Sequence, residues 1–354
     1  DDGTSGDRVK NWITINEPWS CTVLAYQFGI NAPGSKRSQH EQYTVGHNLL
    51  LAHAYAVRVY RDQFQKVQKG QIGLALCMNW MEPNDPQRPE DVAAAQRRFE
   101  FVLGWFADPV YFGDYPSTMR GICSARLPDF TPEERAVIKG SNDFFGLNCY
   151  STNLCVSQLH NRERLRKSVG GYASDVSAST TDDPAWEKTD NGWGIVPSGL
   201  RRLLLKIHER YKPAGGIVIT ECGCAAESKV SAELDQVPGA LQPKEYVQDK
   251  AEPEDLKGET FEDPRRVQFL RAHLAAVHSA LAEGADVRGF FAWSLMDNYE
   301  WVAGYAIRFG IVRVDYTTQR RIIKASGRFL SEVARERAMR KPWPDEEHPG
   351  RKIG

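Results

Sequence analysis

No apolar run in the chain approaches the roughly 18 residues that a transmembrane helix needs, so nothing in the sequence points to a membrane span. Charge of one sign is not in excess. The 45 Lys and Arg residues against 46 Asp and Glu give a net charge of -1, which leaves no electrostatic case for nucleic acid or a membrane surface as a partner. No Asn-x-Ser/Thr acceptor occurs, which counts against a secreted glycoprotein. The seven cysteines are odd in number and scattered. They read as reduced thiols rather than a disulfide framework, so a cytoplasmic location is expected. Cys222-Gly223-Cys224 is a close pair, yet it has no further ligands at metal-binding spacing. Neither a metal nor a cofactor is expected. The sequence opens on the polar stretch Asp1 to Asp7 without an initiating Met, and no signal peptide is expected in it.

What is present is ordinary for a globular protein. Hydrophobic residues make up 41% and charged residues 26% of the 354, and no shift in composition divides the chain. One domain over residues 1–354 is expected. Strand-like runs cover Val9 to Asn16, Gln71 to Asn79, Asp143 to Tyr150, Gly216 to Glu221 and Val287 to Trp293. Helical patterns cover Glu41 to Gln65, Pro89 to Phe106, Pro197 to Tyr211 and Pro264 to Glu283. In the first helix, Val45, Leu49, Ala52, Ala56 and Val59 recur at three- and four-residue steps and predict the buried stripe. In the last, Val267, Leu270, Leu274, Val277 and Leu281 do the same. Residues 151–192 and Lys229 to Gly258 read as long polar loops, Ile311 to Asp315 as a short outer strand, and the end of the chain as a basic helix. Strands alternating with helices imply a parallel sheet.

Two of the strand-like runs end abruptly in a glutamate. Trp12-Ile13-Thr14-Ile15-Asn16-Glu17 stops at Pro18, and Ile217-Val218-Ile219-Thr220-Glu221 stops at Cys222-Gly223. A continuous apolar run suits a strand buried on both faces. A polar residue at its C-terminal end stands where α/β barrels carry their chemistry. Two carboxylates delivered to one rim are the minimal equipment for cleaving a glycosidic bond.

These segments carry a family resemblance. Thr14-Ile15-Asn16-Glu17-Pro18 and Ile219-Thr220-Glu221 resemble the acid/base and nucleophile motifs of glycoside hydrolase family 1, the β-glucosidase family. Phe290-Phe291-Ala292-Trp293-Ser294-Leu295-Met296-Asp297-Asn298-Tyr299-Glu300-Trp301, with Gly304-Tyr305 and Arg308-Phe309-Gly310-Ile311, is similar to its sugar-binding block. The resemblance implies a (β/α)8 TIM barrel and a retaining β-glycosidase acting on β-D-glucosides or related small-molecule or oligosaccharide β-glycosides. It assigns Glu17 as acid/base and Glu221 as nucleophile. Asn16 then meets the sugar's 2-hydroxyl, Asn148 and Tyr150 lie in the site, and the Tyr150 hydroxyl bonds the nucleophile. Trp293, Glu300, Trp301 and Phe309 form the sugar platform, with Glu300 on the 4- and 6-hydroxyls and Trp301 on the 3-hydroxyl. Trp193 is expected near the site entrance.

The resemblance also marks departures. The Glu17 strand corresponds to the fourth of eight, so a barrel truncated to strands four to eight is expected, without the first three βα units. The family's Gln, Arg and His-Trp contacts come from those units. Cys149 stands where the family usually has Tyr, and Cys222 where it has Asn. The alternatives are a non-catalytic relative acting as a carbohydrate-binding or interaction module, and a shortened product that does not fold stably alone. Both carboxylates are present, which favours the enzyme.

Overall fold

The computed structural model describes residues 8–36, 38–168, 170–227 and 261–339. The opening polar stretch Asp1 to Asp7 and the acidic stretch Lys229 to Gly258 lie outside them. In chain order the described strands are β1 (Asn11–Asn16), β2 (Gln71–Cys77), β3 (Trp80–Pro83), β4 (Phe145–Asn148), β5 (Thr152–Ser157), β6 (Ala178–Thr181), β7 (Ile217–Cys222), β8 (Val287–Ala292), β9 (Val312–Val314) and β10 (Arg321–Ile323).

The main sheet has the order β1-β2-β4-β7-β8, and every neighbouring pair is parallel. All five strands therefore end on one side, and Glu17 and Glu221 end there with them. The crossovers are helical, as parallel pairing requires. Helices span Glu41–Val59, Pro89–Phe99, Pro197–Tyr211 and Pro264–Ala282. The last three open on a proline in the first turn, where its missing N–H costs nothing.

Burial follows position in the sheet. β4 is buried throughout and β2 along five consecutive residues, as expected for strands covered on both faces. The edge strands are more open, with Ile13 of β1 44% and Phe291 of β8 61% exposed. Among the described residues β1 and β8 do not pair with each other, so the sheet is an open arc.

Two expectations need correction. Residues 151–192 are not one long loop. β5 and β6 lie there, pairing antiparallel, and β5 also pairs parallel with β3 to make a second sheet. Short strands that depend on partners elsewhere in the chain leave little local pattern. The Asp91 carboxylate, for example, accepts the Ser157 N–H at 2.8 Å. The stripe of the Glu41–Val59 helix is also displaced. Ala52, Ala56 and Val59 are exposed, and the buried side carries Tyr43, Leu50, His53, Ala54 and Val57. His47 and His53 face inward, and a hydrophobic pattern counts both as polar. In the Pro264–Ala282 helix, Leu270 and Val277 are buried but Leu281 is exposed. The outer strand near 311–315 is β9, which pairs antiparallel with β10, and a final helix spans Ala325–Glu336.

The main core joins the helices to the sheet through Trp105, Phe145, Leu147, Leu203, Ile207, Ile217 and Ile219. Leu203 is fully buried on the Pro197–Tyr211 helix, whereas Val67 is 73% exposed. Leu203→Ala is expected to cost about 2–5 kcal/mol and Val67→Ala less than about 0.5 kcal/mol. Urea denaturation midpoints compared at constant slope check both values.

Candidate active site

Glu17 follows the last residue of β1, and its backbone does not continue the strand. The β1–β2 register shifts between Ile13 and Asn16, and Glu17 has φ of 47°. Its N–H still reaches the Ala75 carbonyl at 2.8 Å. A regular pleat would turn the Asn16 and Glu17 side chains to opposite faces. The irregular register and the left-handed turn bring both onto one network instead. A non-glycine residue held in that conformation costs about 1–3 kcal/mol, a cost often found at functional sites.

Asn148 ends β4 and is almost fully buried. Its Nδ2 donates to Glu17 Oε1 at 2.9 Å and to Asn16 Oδ1 at 3.0 Å. Its Oδ1 accepts from Thr220 Oγ1 at 2.5 Å. Ser20 Oγ donates to the other Glu17 oxygen, Oε2, at 2.7 Å.

Glu221 is brought opposite Asn148 by a register shift between β4 and β7. Its Oε2 accepts from the Tyr150 hydroxyl at 2.5 Å. Burial pushes the Glu221 carboxyl up to about 7. The Tyr150 hydrogen bond opposes this, the Glu17 charge adds to it, and the Asn148 and Asn16 side chains pull it back. Burial and the Glu221 charge hold the Tyr150 phenol far above its ordinary value, so it stays a donor. Asn79 Oδ1 fixes the backbone behind it by accepting the N–H groups of Tyr150 and Ser151 at 3.2 and 3.1 Å.

Beyond β8, Trp293 Nε1 donates to Glu300 Oε2 at 3.3 Å. Burial, and then the Glu17 charge, raise the Glu300 carboxyl. Phe309 is buried with Ala225, Ala303 and Ile307, and Tyr150, Trp193 and Trp293 pack against that cluster. The rings of Tyr150, Trp193 and Phe309 lie 5.3 to 6.1 Å apart. An ionic knot holds this wall from behind. The buried Asp297 carboxylate accepts from Arg308 at 2.6 Å, Lys324 at 3.1 Å and the Gly310 N–H at 3.0 Å. Lys324 also reaches Glu227, which Arg266 bonds at 2.5 Å.

The structure thus brings two hydrogen-bonded groups side by side, Asn148 with Asn16 and Glu17 and Tyr150 with Glu221, with Trp293, Glu300, Phe309 and Trp193 packed near Tyr150 or bonded to one another. Trp301 stands apart. It is 67% exposed, and among the described residues no side-chain hydrogen bond ties its indole to the others. Ser20, Asn79 and Thr220 are parts of the network that sequence reasoning missed. Ser20 stands three residues past Glu17, and that spacing was the available signal. Cys149 and Cys222 are both buried, and burial raises both thiols, Cys149 to about 12. Each acts as packing beside a catalytic-motif residue. Gly223 is required by geometry, because a Cβ there would lie 1.8 Å from the Trp293 carbonyl oxygen.

The raised Glu221 carboxyl fixes a pH dependence. The folded form holds its proton between the ordinary value of 4.5 and about 7, a range in which the unfolded chain has released it. Stability therefore falls as pH rises through that window. Glu221→Gln removes this loss. Its melting temperature is expected to exceed that of the parent at pH 8, with the gap closing towards pH 4. Calorimetry across that range checks it, and a gap independent of pH overturns it.

The profile of Glycosyl hydrolase family 1 matches residues 3–339. Beta-glucosidase 1B of Phanerodontia chrysosporium is 38% identical over 338 residues, covering 92% of this chain and 57% of its own length. Beta-glucosidase 42 of Arabidopsis thaliana is 39% identical over 315 residues, covering 88% and 59%. The crystal structure of the rice Os3BGlu6 beta-glucosidase superposes with a TM-score of 0.78 at 35% identity, covering 91% of this chain and 66% of that one. A beta-glucosidase of the fungus Humicola insolens, in complex with glucose, gives 0.77 at 36% identity, covering 93% and 66%. The chain spans 57% and 59% of the length of these two curated relatives. A parallel sheet with helical crossovers, two glutamates joined at the strand ends and a match over most of its residues place the chain in glycosyl hydrolase family 1, with the (β/α)8 fold of its structures.

Proposed function

We propose that the protein is a retaining β-glycosidase acting on β-D-glucosides or related β-glycosides. The observation that carries this is the convergence of two glutamates at the C-terminal ends of parallel strands around Asn148, which bonds Glu17 at 2.9 Å and stands opposite Glu221 in the β4–β7 register. The retaining reading requires the two carboxyl groups about 5–5.5 Å apart.

In this reading Glu17 protonates the leaving oxygen as a Glu221 oxygen attacks the anomeric carbon. The bond to the leaving oxygen breaks, and a glycosyl ester of Glu221 remains. Esterification removes the Glu221 charge that opposed ionisation of Glu17. Glu17 then takes a proton from water, the water oxygen attacks the anomeric carbon, and the Glu221 carboxylate is released. Asn16 bonds the 2-hydroxyl, Trp293 and Phe309 shape the sugar platform, Glu300 accepts from the 4- and 6-hydroxyls, and Trp301 reaches the 3-hydroxyl. A mutant of the rice relative has been solved in a covalent complex with Glc, which supports the covalent route.

The five strands of the main sheet take the place of the last five in an eight-stranded barrel. The open edges at β1 and β8 support this reading. Family contacts expected from the first three strands then have no counterpart in this chain. Residues 1–354 assayed alone on an aryl β-glucoside are expected to turn over far more slowly than an intact family member. Comparable turnover refutes that expectation.

The roles of the carboxylates have their own test. Glu221→Ala is expected to abolish turnover, and external azide to restore it as the inverted glycosyl azide. Glu17→Ala is expected to lose about 10²–10⁴-fold on glycosides with poor leaving groups and far less on dinitrophenyl glycosides, which need no proton. Equal losses on both substrates remove Glu17 from the acid role. A chain that binds glucosides without any turnover favours the carbohydrate-binding alternative.

A further inference from the structure

A concavity lies against the helix Gly171–Val176. It is a broad cleft of about 680 Å³ lined by His40, Arg126, His160, Arg162, Arg166 and Asp175 among others. Neither Glu17, Glu221 nor Glu300 lines it.

Its acidic groups are already matched. Asp175 accepts both Nη atoms of Arg126, at 2.5 and 2.7 Å, together with the Tyr43 hydroxyl at 2.5 Å. Glu163 accepts two bonds from Arg166, at 2.8 and 3.1 Å, and lies 3.6 Å from Lys167. That second pair is exposed, and such pairs contribute little and exchange partners readily. Arg162 is different. It is exposed, and no ion pair of its own is found among the described residues. Its charge is nevertheless felt inside the fold, where it favours the Cys123 thiolate and disfavours the Arg97 guanidinium. An unmatched guanidinium therefore faces a concavity already held by other cations, with two histidines on its walls. Arg126, Arg162 and Arg166 against Glu163 and Asp175 leave the lining one positive charge in excess, whereas the chain as a whole carries a net charge of -1.

A planar guanidinium fork matches the geometry of phosphate and sulfate oxygens, and such pairs are frequently bidentate. We propose that this cleft binds an oxyanion group, a phosphate or sulfate, with Arg162 as its anchor and Arg166 as a second donor. The Gly171–Val176 helix that forms one wall also presents Tyr172, whose hydroxyl accepts from Trp19 Nε1 at 2.6 Å. Trp19 stands two residues past Glu17. Under the glycosidase reading, Glu17 protonates the departing group, so the anion rides on the aglycone. That last step rests on the glycosidase reading, whereas the anion site does not.

Calorimetric titration of the whole chain with inorganic phosphate at low salt tests the site. Saturable millimolar binding is expected. Arg162→Gln is expected to weaken it at least fivefold and Arg162→Gln with Arg166→Gln to remove it, both with unchanged circular dichroism. Glu221→Gln leaves phosphate binding as it was. No saturable binding, or binding indifferent to Arg162→Gln, overturns the site. For the aglycone step, Glu221→Gln is titrated with an aryl β-glucoside and with the same glucoside carrying a sulfate on its ring. Tighter binding of the sulfated compound, lost on Arg162→Gln, supports it. Equal affinities with phosphate still bound overturn the aglycone assignment alone.

Discussion

The side-chain amide of Asn148 stands between two carboxylates, and most of the local architecture serves to keep it there. Thr220 holds its oxygen at 2.5 Å, which leaves both N–H bonds free to point at Asn16 and Glu17. An amide anchored at one end has a fixed orientation, so its two ends cannot exchange roles. Its own burial at the end of β4 removes competing water. The register shifts on either side, between β1 and β2 and between β4 and β7, are what bring Glu17 and Glu221 to it. Such irregularities commonly re-aim side chains near active sites. Here a regular ladder would have sent one of each neighbouring pair of side chains away.

Two kinds of support lie behind this network. The sheet supplies rigidity through strands buried on both faces, so the strand ends are placed by the packing of a large core. The wall of Trp293, Glu300 and Phe309 has no such sheet behind it and rests on buried charge. Asp297, Lys324, Glu227 and Arg266 link the segment after β8 to the turn after β7 and to the hairpin of β9 and β10. Glu227 and Asp297 each have more than one cationic partner. Loss of either carboxylate would leave buried cations short of a partner, which is costly, although the intact network need not add net stability. Its contribution is position: Glu300 and Phe309 sit on the two segments that Asp297 ties together.

The sequence was most readable where one signal dominates. Central strands read as unbroken apolar runs, and the Pro197–Tyr211 helix was bounded to the residue because proline opens it and an apolar stripe fills it. Glu17 and Glu221 were legible because a carboxylate ending such a run has no packing role. Legibility failed where tertiary contacts decide. His47 and His53 turned the true inward face of the first long helix into an apparently polar one. β5 and β6 were hidden because their pairing partners are distant or short. Ser20 and Asn79 look like loop residues, and only their hydrogen bonds to Glu17 and to the Tyr150 backbone reveal them. The exposure of Trp301 follows from a turn with φ of 47°, and nothing in the motif signals that conformation.

The electrostatics of Glu221 connect the open sheet to the chemistry. Every group that lowers its proton affinity is a neutral donor: Tyr150, Asn148 and Asn16. Neutral hydrogen bonds offset burial only in part, and a neighbouring carboxylate works against them, so the group settles at about 7. A guanidinium within about 4–6 Å would lower a carboxylate by one to three units. The family resemblance implies an arginine of that kind on a strand absent from this sheet. In the proposed mechanism Glu221 must be ionised to attack, and its raised proton affinity works against that. Closing the arc with a cation beside Glu221 would therefore do more than complete a wall. It would favour the charged form of Glu221 that the proposed mechanism requires, beside an Asn148 amide already oriented towards Glu17.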